Sequence, residues 1–210
     1  MKKFLMPFIL TICFVVFTIM VVTIDVQPVG PAGSSVGFAT LNSAVHNFFG
    51  EISLFYYLTQ ALGLLAIAVA GAFAVLGCVQ LIKRKSLLKV DRCVIALGIT
   101  YIVVISLYVL FEKLALNYRP VITDEGLEAS YPSTHTMLIL TIFGTARFAL
   151  HRLLKDFKNQ KLVRALEIAC IIIMFITVIG RLICGVHWCT DILGSLLIST
   201  AIVSCYSKAI

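Results

Sequence analysis

Three short clusters bring together the residues of this chain whose types and spacing could do chemistry on an anion. Lys113 and Arg119 stand just before Pro120; Ser133, Thr134 and His135 follow Pro132; Arg181, His187 and Asp191 close the series. Cations, two histidines, a carboxylate and a hydroxyl are thereby gathered in a chain that is 60% hydrophobic and only 13% charged. Such groups are costly where the surroundings are lipid, so their presence needs a reason. A phosphate held by the cations beside a nucleophilic histidine supplies one.

Each cluster has its own logic. Asp191 follows His187 by four residues, which puts both on one face at the start of a helix. A carboxylate there can accept the N–H of one imidazole nitrogen, fixing the tautomer and leaving the other nitrogen free to attack. Ser133 can cap the helix that begins after it, whose free amides and positive dipole end make an anion site. Lys113 and Arg119 would lie about 240° apart on a continuous helix. Pro120 pushes Arg119 out of helical conformation, so the helix is expected to end near Asn117 and let Arg119 fold back toward Lys113. Taken singly, these are an interfacial anchor, an N-cap and a structural His–Asp pair. Taken together, they converge on one site.

The elements that must position them are apolar. Runs over 4–24, 54–82, 93–112, 136–154, 165–182 and 190–207 can each cross a ~30 Å hydrocarbon core as a helix. With a mean hydropathy of +1.05, the chain reads as all-α, a polytopic membrane bundle of six transmembrane helices. No polar linker is long enough to divide it, so residues 1–210 are expected to form a single domain with its motif core at 113–191. The opening Met1-Lys2-Lys3 and the apolar run behind it resemble a signal peptide, but the run exceeds the ~7–15 residues of an h-region and is read as a first span. Gly63, Ala66, Ala70, Ala74 and Gly77 in the second run read as close-packing residues.

The net charge of +7 is not arranged as a basic face, which excludes nucleic acid and favours lipid headgroups. With the N-terminus in the cytoplasm, fourteen of the 17 Lys and Arg residues fall inside. The three outside are Lys113, Arg119 and Arg181, so both termini are expected to be cytoplasmic and the active site extracytoplasmic. The loop over 25–53 and the residues just after it carry Phe48, Phe49, Phe55, Tyr56 and Tyr57, read as interfacial anchors or a short surface helix, with His46 as a surface residue. Seven dispersed cysteines read as apolar packing, Cys184 and Cys189 being the one pair close enough to His187 to invite pairing. The acidic residues Asp124, Glu125 and Glu128 beside the cations read as a solvated loop.

In this order and spacing, Lys113 with Arg119-Pro120, Pro132-Ser133-x-His135, and Arg181-x5-His187-x3-Asp191 resemble the type 2 phosphatidic acid phosphatase (PAP2) superfamily of integral membrane lipid phosphatases. The resemblance implies that Lys113, Arg119 and Arg181 bind phosphate oxygens, helped by Ser133 and the amide of Thr134. It implies that His187, oriented by Asp191, attacks phosphorus to give a phosphohistidine, and that His135 protonates the leaving group. It implies no cofactor and no metal, and as partners the bilayer and a phosphorylated lipid such as undecaprenyl diphosphate, phosphatidylglycerol phosphate or phosphatidic acid. A phosphotransferase using the same intermediate, or a non-catalytic lipid-binding or transport protein, are the alternatives. Two positions depart from the family pattern. Thr134 stands where glycine is usual, awkward if that backbone needs φ > 0. Gly180 stands where serine often precedes the arginine, and costs one hydroxyl.

Overall fold

The computed structural model describes residues 2–122 and 126–210, Lys2 by its backbone alone; Asp124 and Glu125 of the acidic loop lie outside the described residues. Among those residues are seven α-helices: α1 (Leu5–Thr23), α2 (Ala39–Phe49), α3 (Ser53–Arg84), α4 (Arg92–Leu114), α5 (Thr134–Leu153), α6 (Gln160–Ile183) and α7 (Cys189–Ala209). Six of them follow the six apolar runs, and α2 is the short helix of the first long loop. At 32 residues, α3 exceeds what a ~30 Å core requires.

Five helices are long and apolar enough to cross a membrane by themselves. Among the six long helices the exception is α5, which carries His135, Thr136, Thr141, Thr145, Arg147, His151 and Arg152. It does not need lipid-compatible sides, because α3, α4, α6 and α7 enclose it and most of its length from Thr136 to Ala146 is buried. One of its hydroxyls turns back on the helix backbone: Thr145 donates to the carbonyls of Thr141 and Ile142 at 2.7 and 3.1 Å. Close packing against α7 is allowed by Gly144, whose missing side chain is replaced by Val203. Hydroxyls of Ser195 and Ser199 then cross from α7 to the carbonyls of Ser133 and Met137 at 2.8 and 3.2 Å.

The segment between α4 and α5 is pinned by an aromatic. Tyr131 is buried, shares a 2.8 Å hydrogen bond with Thr18 of α1, and packs its ring against Phe14, Phe17 and Phe111. Aromatic pairs of this kind contribute about 0.5–1.5 kcal/mol beyond their buried area. The helix directions bring the C-terminal ends of α4 and α6 to the same end of the bundle as the N-terminal ends of α5 and α7. The three chemical clusters therefore meet there.

The first long loop does more than anchor. Asn42 of α2 is fully buried; its Oδ1 accepts the Thr190 N–H at 3.2 Å and its Nδ2 donates to Thr190 Oγ1 at 2.9 Å. It thus caps α7 across 148 residues of sequence. His46 is not a bare surface residue: its ring packs 5.5 Å from that of Trp188 and its Nε2 lies 3.5 Å from Glu51. Phe48, by contrast, is 82% exposed on the same helix, as expected of an interfacial anchor. All seven cysteines are free thiols, so Cys184 and Cys189 do not pair. Cys189 donates to Asn42 Oδ1 and Cys184 to the Arg181 carbonyl instead.

Candidate active site

Helix α4 ends at Leu114, earlier than the proline rule alone suggests, because Ala115 takes a left-handed conformation (φ 43°) as its C-cap. Lys113 is left exposed on the last turn, and among the described residues no hydrogen bond or ion pair joins it to the other site residues. The chain beyond folds into a short antiparallel pairing in which Tyr118 faces Ala129, Arg119 N–H donates to the Glu128 carbonyl and Ser130 N–H to the Asn117 carbonyl. This turns the Arg119 side chain inward. Its guanidinium meets Glu128 at 3.1 Å, so Glu128 is an ion-pair partner and not a solvated loop residue.

Ser133 caps α5 as expected, its Oγ accepting the Thr136 N–H at 3.4 Å. Thr134 is the first helical residue and does not have positive φ, so its β-branch causes no strain where glycine is usual. His135 follows, with its Nε2 buried and unpartnered. The space for its ring comes from Gly63 of α3: a Cβ there would lie 2.5 Å from Nε2. Sequence reading took Gly63 for packing alone; nothing in the sequence says which side chain it faces.

Arg181 lies in the last turn of α6 and is only 1% exposed. It donates to Thr59 Oγ1 at 3.3 Å and to His187 Nε2 at 3.3 Å, and sits over the Tyr56 ring at 5.8 Å. Gly180 explains itself here. A Cβ at 180 would come within 2.8 Å of Thr59 Cγ2, so the glycine lets α3 approach and bring the Thr59 hydroxyl to the arginine. The hydroxyl absent from position 180 is supplied from position 59.

Between α6 and α7, Gly185 adopts φ 69°, a left-handed turn packed against Gly50 and Glu51 where a side chain has no room. The turn delivers His187, 3% exposed, above the N-terminus of α7. Asp191 is fully buried; its Oδ2 accepts the Trp188 N–H at 2.9 Å and the Ser130 hydroxyl. The carboxylate does not bond the imidazole directly: His187 Nδ1 is 3.6 Å from Oδ2, and its hydrogen-bond partner at 3.0 Å is Ser130 Oγ. Ser130 was not singled out in the sequence, because it lies two positions before Pro132 with no signal but its hydroxyl.

The electrostatics are those of an anion site. Burial first, then the nearby Arg181 and Arg119 guanidinium groups and His135, hold the His187 imidazole well below the usual histidine range. Arg119 Nε and Arg181 Nε are both buried with no hydrogen-bond partner, as is His135 Nε2. Buried donors of this kind are rare and costly unless a ligand uses them. Among the described residues no group of His, Cys, Asp and Glu is arranged to hold a metal ion. The structure thus joins Arg119, Ser133, His135, Arg181, His187 and Asp191 at one end of the bundle, leaves Lys113 at the rim, and adds Ser130, Thr59 and Gly63.

Residues 109–209 match the family model described as the PAP2 superfamily. No curated protein matches the chain. Among solved structures, it is similar to a transmembrane PAP2-type phosphatidylglycerolphosphate phosphatase from Bacillus subtilis, at 17% identity and a TM-score of 0.62. The match covers 99% of this chain and 94% of that one, which at this identity is a likeness of fold. The PAP2 superfamily match thus spans residues 109–209, the part of the chain that holds all three clusters, within a multi-pass membrane bundle whose fold resembles that of a membrane PAP2-type phosphatase.

Proposed function

We propose that the protein is a membrane lipid phosphatase that removes phosphate from lipid phosphates or diphosphates through a phosphohistidine, without a metal. The observation that carries this reading is the pair of buried, unpartnered arginine Nε groups beside a neutral, nearly buried histidine. Oxygens of a phosphate satisfy both guanidinium groups, with the Ser133–Thr134 helix start as a further donor and Lys113 as a cation at the rim. Nε2 of His187 attacks phosphorus as the bond to the lipid oxygen breaks, and that oxygen takes a proton from His135. Water then attacks phosphorus, giving a proton to His135, as the P–N bond breaks and its electron pair returns to Nε2, and phosphate leaves. Two cations balance the charge spread over the equatorial oxygens, the task often given to Mg²⁺.

The lipid assignment is supported by a cavity of about 470 Å³ between α3, α4 and α5. His135, Gln60 and Gly63 stand among otherwise largely apolar lining from Leu64, Ile67, Val104 and Ile139. A headgroup at the arginines and an apolar chain in this cleft fit one amphipathic molecule. The distribution of cations supports placing the site at the extracytoplasmic face with both termini inside, and the packing of α1 on α7 and of α3 on α5 and α6 supports 1–210 acting as one domain. The similar Bacillus subtilis structure, a phosphatidylglycerolphosphate phosphatase, supports the same substrate class.

The test is phosphate release in detergent with EDTA from undecaprenyl diphosphate, phosphatidylglycerol phosphate and phosphatidic acid, with rapid-quench trapping of labelled protein. Chelator-resistant release with an acid-labile, base-stable phosphoenzyme is expected. Release that requires a divalent cation, or no phosphoenzyme, contradicts the mechanism.

Two further outcomes follow. His187 must be neutral to attack, and its lowered pKa keeps it so into acid. The acid limb of kcat/KM, corrected for the substrate's own titration near pH ~6, is therefore expected below pH ~6.5. A limb at or above that value contradicts the buried, cation-flanked environment. Replacing Gly63 with alanine displaces the His135 ring and is expected to lower kcat roughly 10–100-fold while the protein stays folded. Unchanged kcat would remove His135 from proton transfer.

A further inference from the structure

We propose that Ser130 is a positioning residue for the nucleophile, its hydroxyl linking the Asp191 carboxylate to Nδ1 of His187 where a direct histidine–carboxylate bond was expected. The proposal deepens the phosphatase reading, and its kinetic arm rests on that reading.

The donors and acceptors permit one consistent arrangement. A guanidinium only donates, so the Arg181–His187 contact at 3.3 Å makes Nε2 an acceptor and places the imidazole proton on Nδ1. Nδ1–H must then donate, and Ser130 Oγ stands 3.0 Å away to accept. The hydroxyl proton of Ser130 is directed to Asp191 Oδ2, an acceptor that holds the Trp188 N–H as well. At 3.6 Å the carboxylate is too far from Nδ1 to replace the serine.

All three groups are enclosed: Ser130 is 2% exposed, His187 3% and Asp191 0%. Ser130 is also held from both sides, by its N–H bond to the Asn117 carbonyl at 2.8 Å and by Tyr131, locked to Thr18. The hydroxyl therefore sits on fixed backbone, shut off from bulk solvent.

The consequence for reaction is a charge held in place. When Nε2 bonds phosphorus and the lipid oxygen leaves with the His135 proton, the ring becomes a cation that keeps its Nδ1 proton. Ser130 Oγ accepts that strengthened bond and passes the stabilisation to the carboxylate through its own O–H. Hydrolysis of the P–N bond returns the electron pair to Nε2, and no proton leaves Nδ1 at any step. Arg181, Arg119, His135 and Asp191 are the charged and titratable groups acting on this ring. Glu128 stands behind Arg119, and His46 with Glu51 stands behind Trp188.

The experiment compares wild type, S130A, D191N and the double variant for kcat, KM and melting temperature, together with nitrogen-15 spectra of labelled imidazoles. S130A leaves the Trp188 bond to Asp191 intact, so it is expected to fold and melt near wild type. Its kcat is expected to fall roughly 10–100-fold with KM within ~2-fold, and D191N is expected to add less than ~3-fold to S130A. In wild type the His187 ring is expected to show a protonated Nδ1 and bare Nε2, a fixed tautomer that S130A loses. Wild-type kcat in S130A, or independent losses that multiply in the double variant, overturns the proposal while leaving the phosphatase reading standing. If wild type releases no phosphate from any lipid, that reading fails by itself. The tautomer then decides: its loss in S130A supports the link, its persistence overturns it.

Discussion

Replacing His187 with alanine is expected to lower phosphate release by roughly 10⁴–10⁶-fold, the scale on which covalent nucleophiles fail when removed. In the proposed mechanism His187 is the nucleophile, and in the structure its Nε2 is turned to the Arg181 guanidinium while its Nδ1 is held by Ser130. No neighbour can take its place: His135 belongs to a different helix and faces the apolar cleft. The loss is expected in kcat, with binding of a phosphate analogue such as vanadate reduced far less, because both arginines remain. Phosphoenzyme trapping must fall in parallel. Turnover within tenfold of wild type would place the nucleophile elsewhere. Retained turnover with a lost phosphoenzyme would instead point to direct attack by water.

Arg181 should show opposite signs for activity and stability. Its guanidinium is 1% exposed, its Nε has no partner, and no carboxylate among the described residues lies within ion-pair distance. A buried cation held this way opposes folding, and removing it with conserved volume relieves that cost. Arg181→Met is therefore expected to melt no lower than wild type, with a gain on the order of 1–3 kcal/mol. Its kcat/KM is expected to drop about 10³-fold, because the donor nearest the attacking nitrogen is gone from ground state and transition state alike. Arg181→Lys is not expected to rescue it, since an ammonium cannot span Thr59, His187 and a phosphate oxygen at once. A variant that loses stability along with activity would mean that Arg181 is structural. A variant that keeps activity would remove it from the clamp.

Much of this site was legible in the chain because it depends on local rules. Helix spacing put His187 and Asp191 together, Ser133 announced a cap, and the apolar runs set which ends of which helices would meet. The Thr134 departure brings no backbone strain for a reason also local, an ordinary helical conformation at the first turn. Other features were not legible because they depend on distance. Gly180 looked like a lost hydroxyl until α3 was seen to bring Thr59 to the same arginine. His46 looked unpartnered until α2 was seen to lay it on Trp188. Lys113 was grouped with Arg119 by proximity in sequence, whereas Ala115 ends the helix early and separates their directions.

What the chain determined by itself was the membrane class, the six long helices, the end at which the candidate site gathers and most of the residues that line it. Hydrophobic length and helical periodicity are properties of neighbours in sequence, and they survive almost any packing. What only the tertiary structure decided was how those residues touch: a serine between carboxylate and imidazole, an asparagine from another helix capping α7, a glycine making room for a histidine. Each depends on a few tenths of an ångström between segments up to 148 residues apart. Close packing sets such distances, and periodicity carries no record of them.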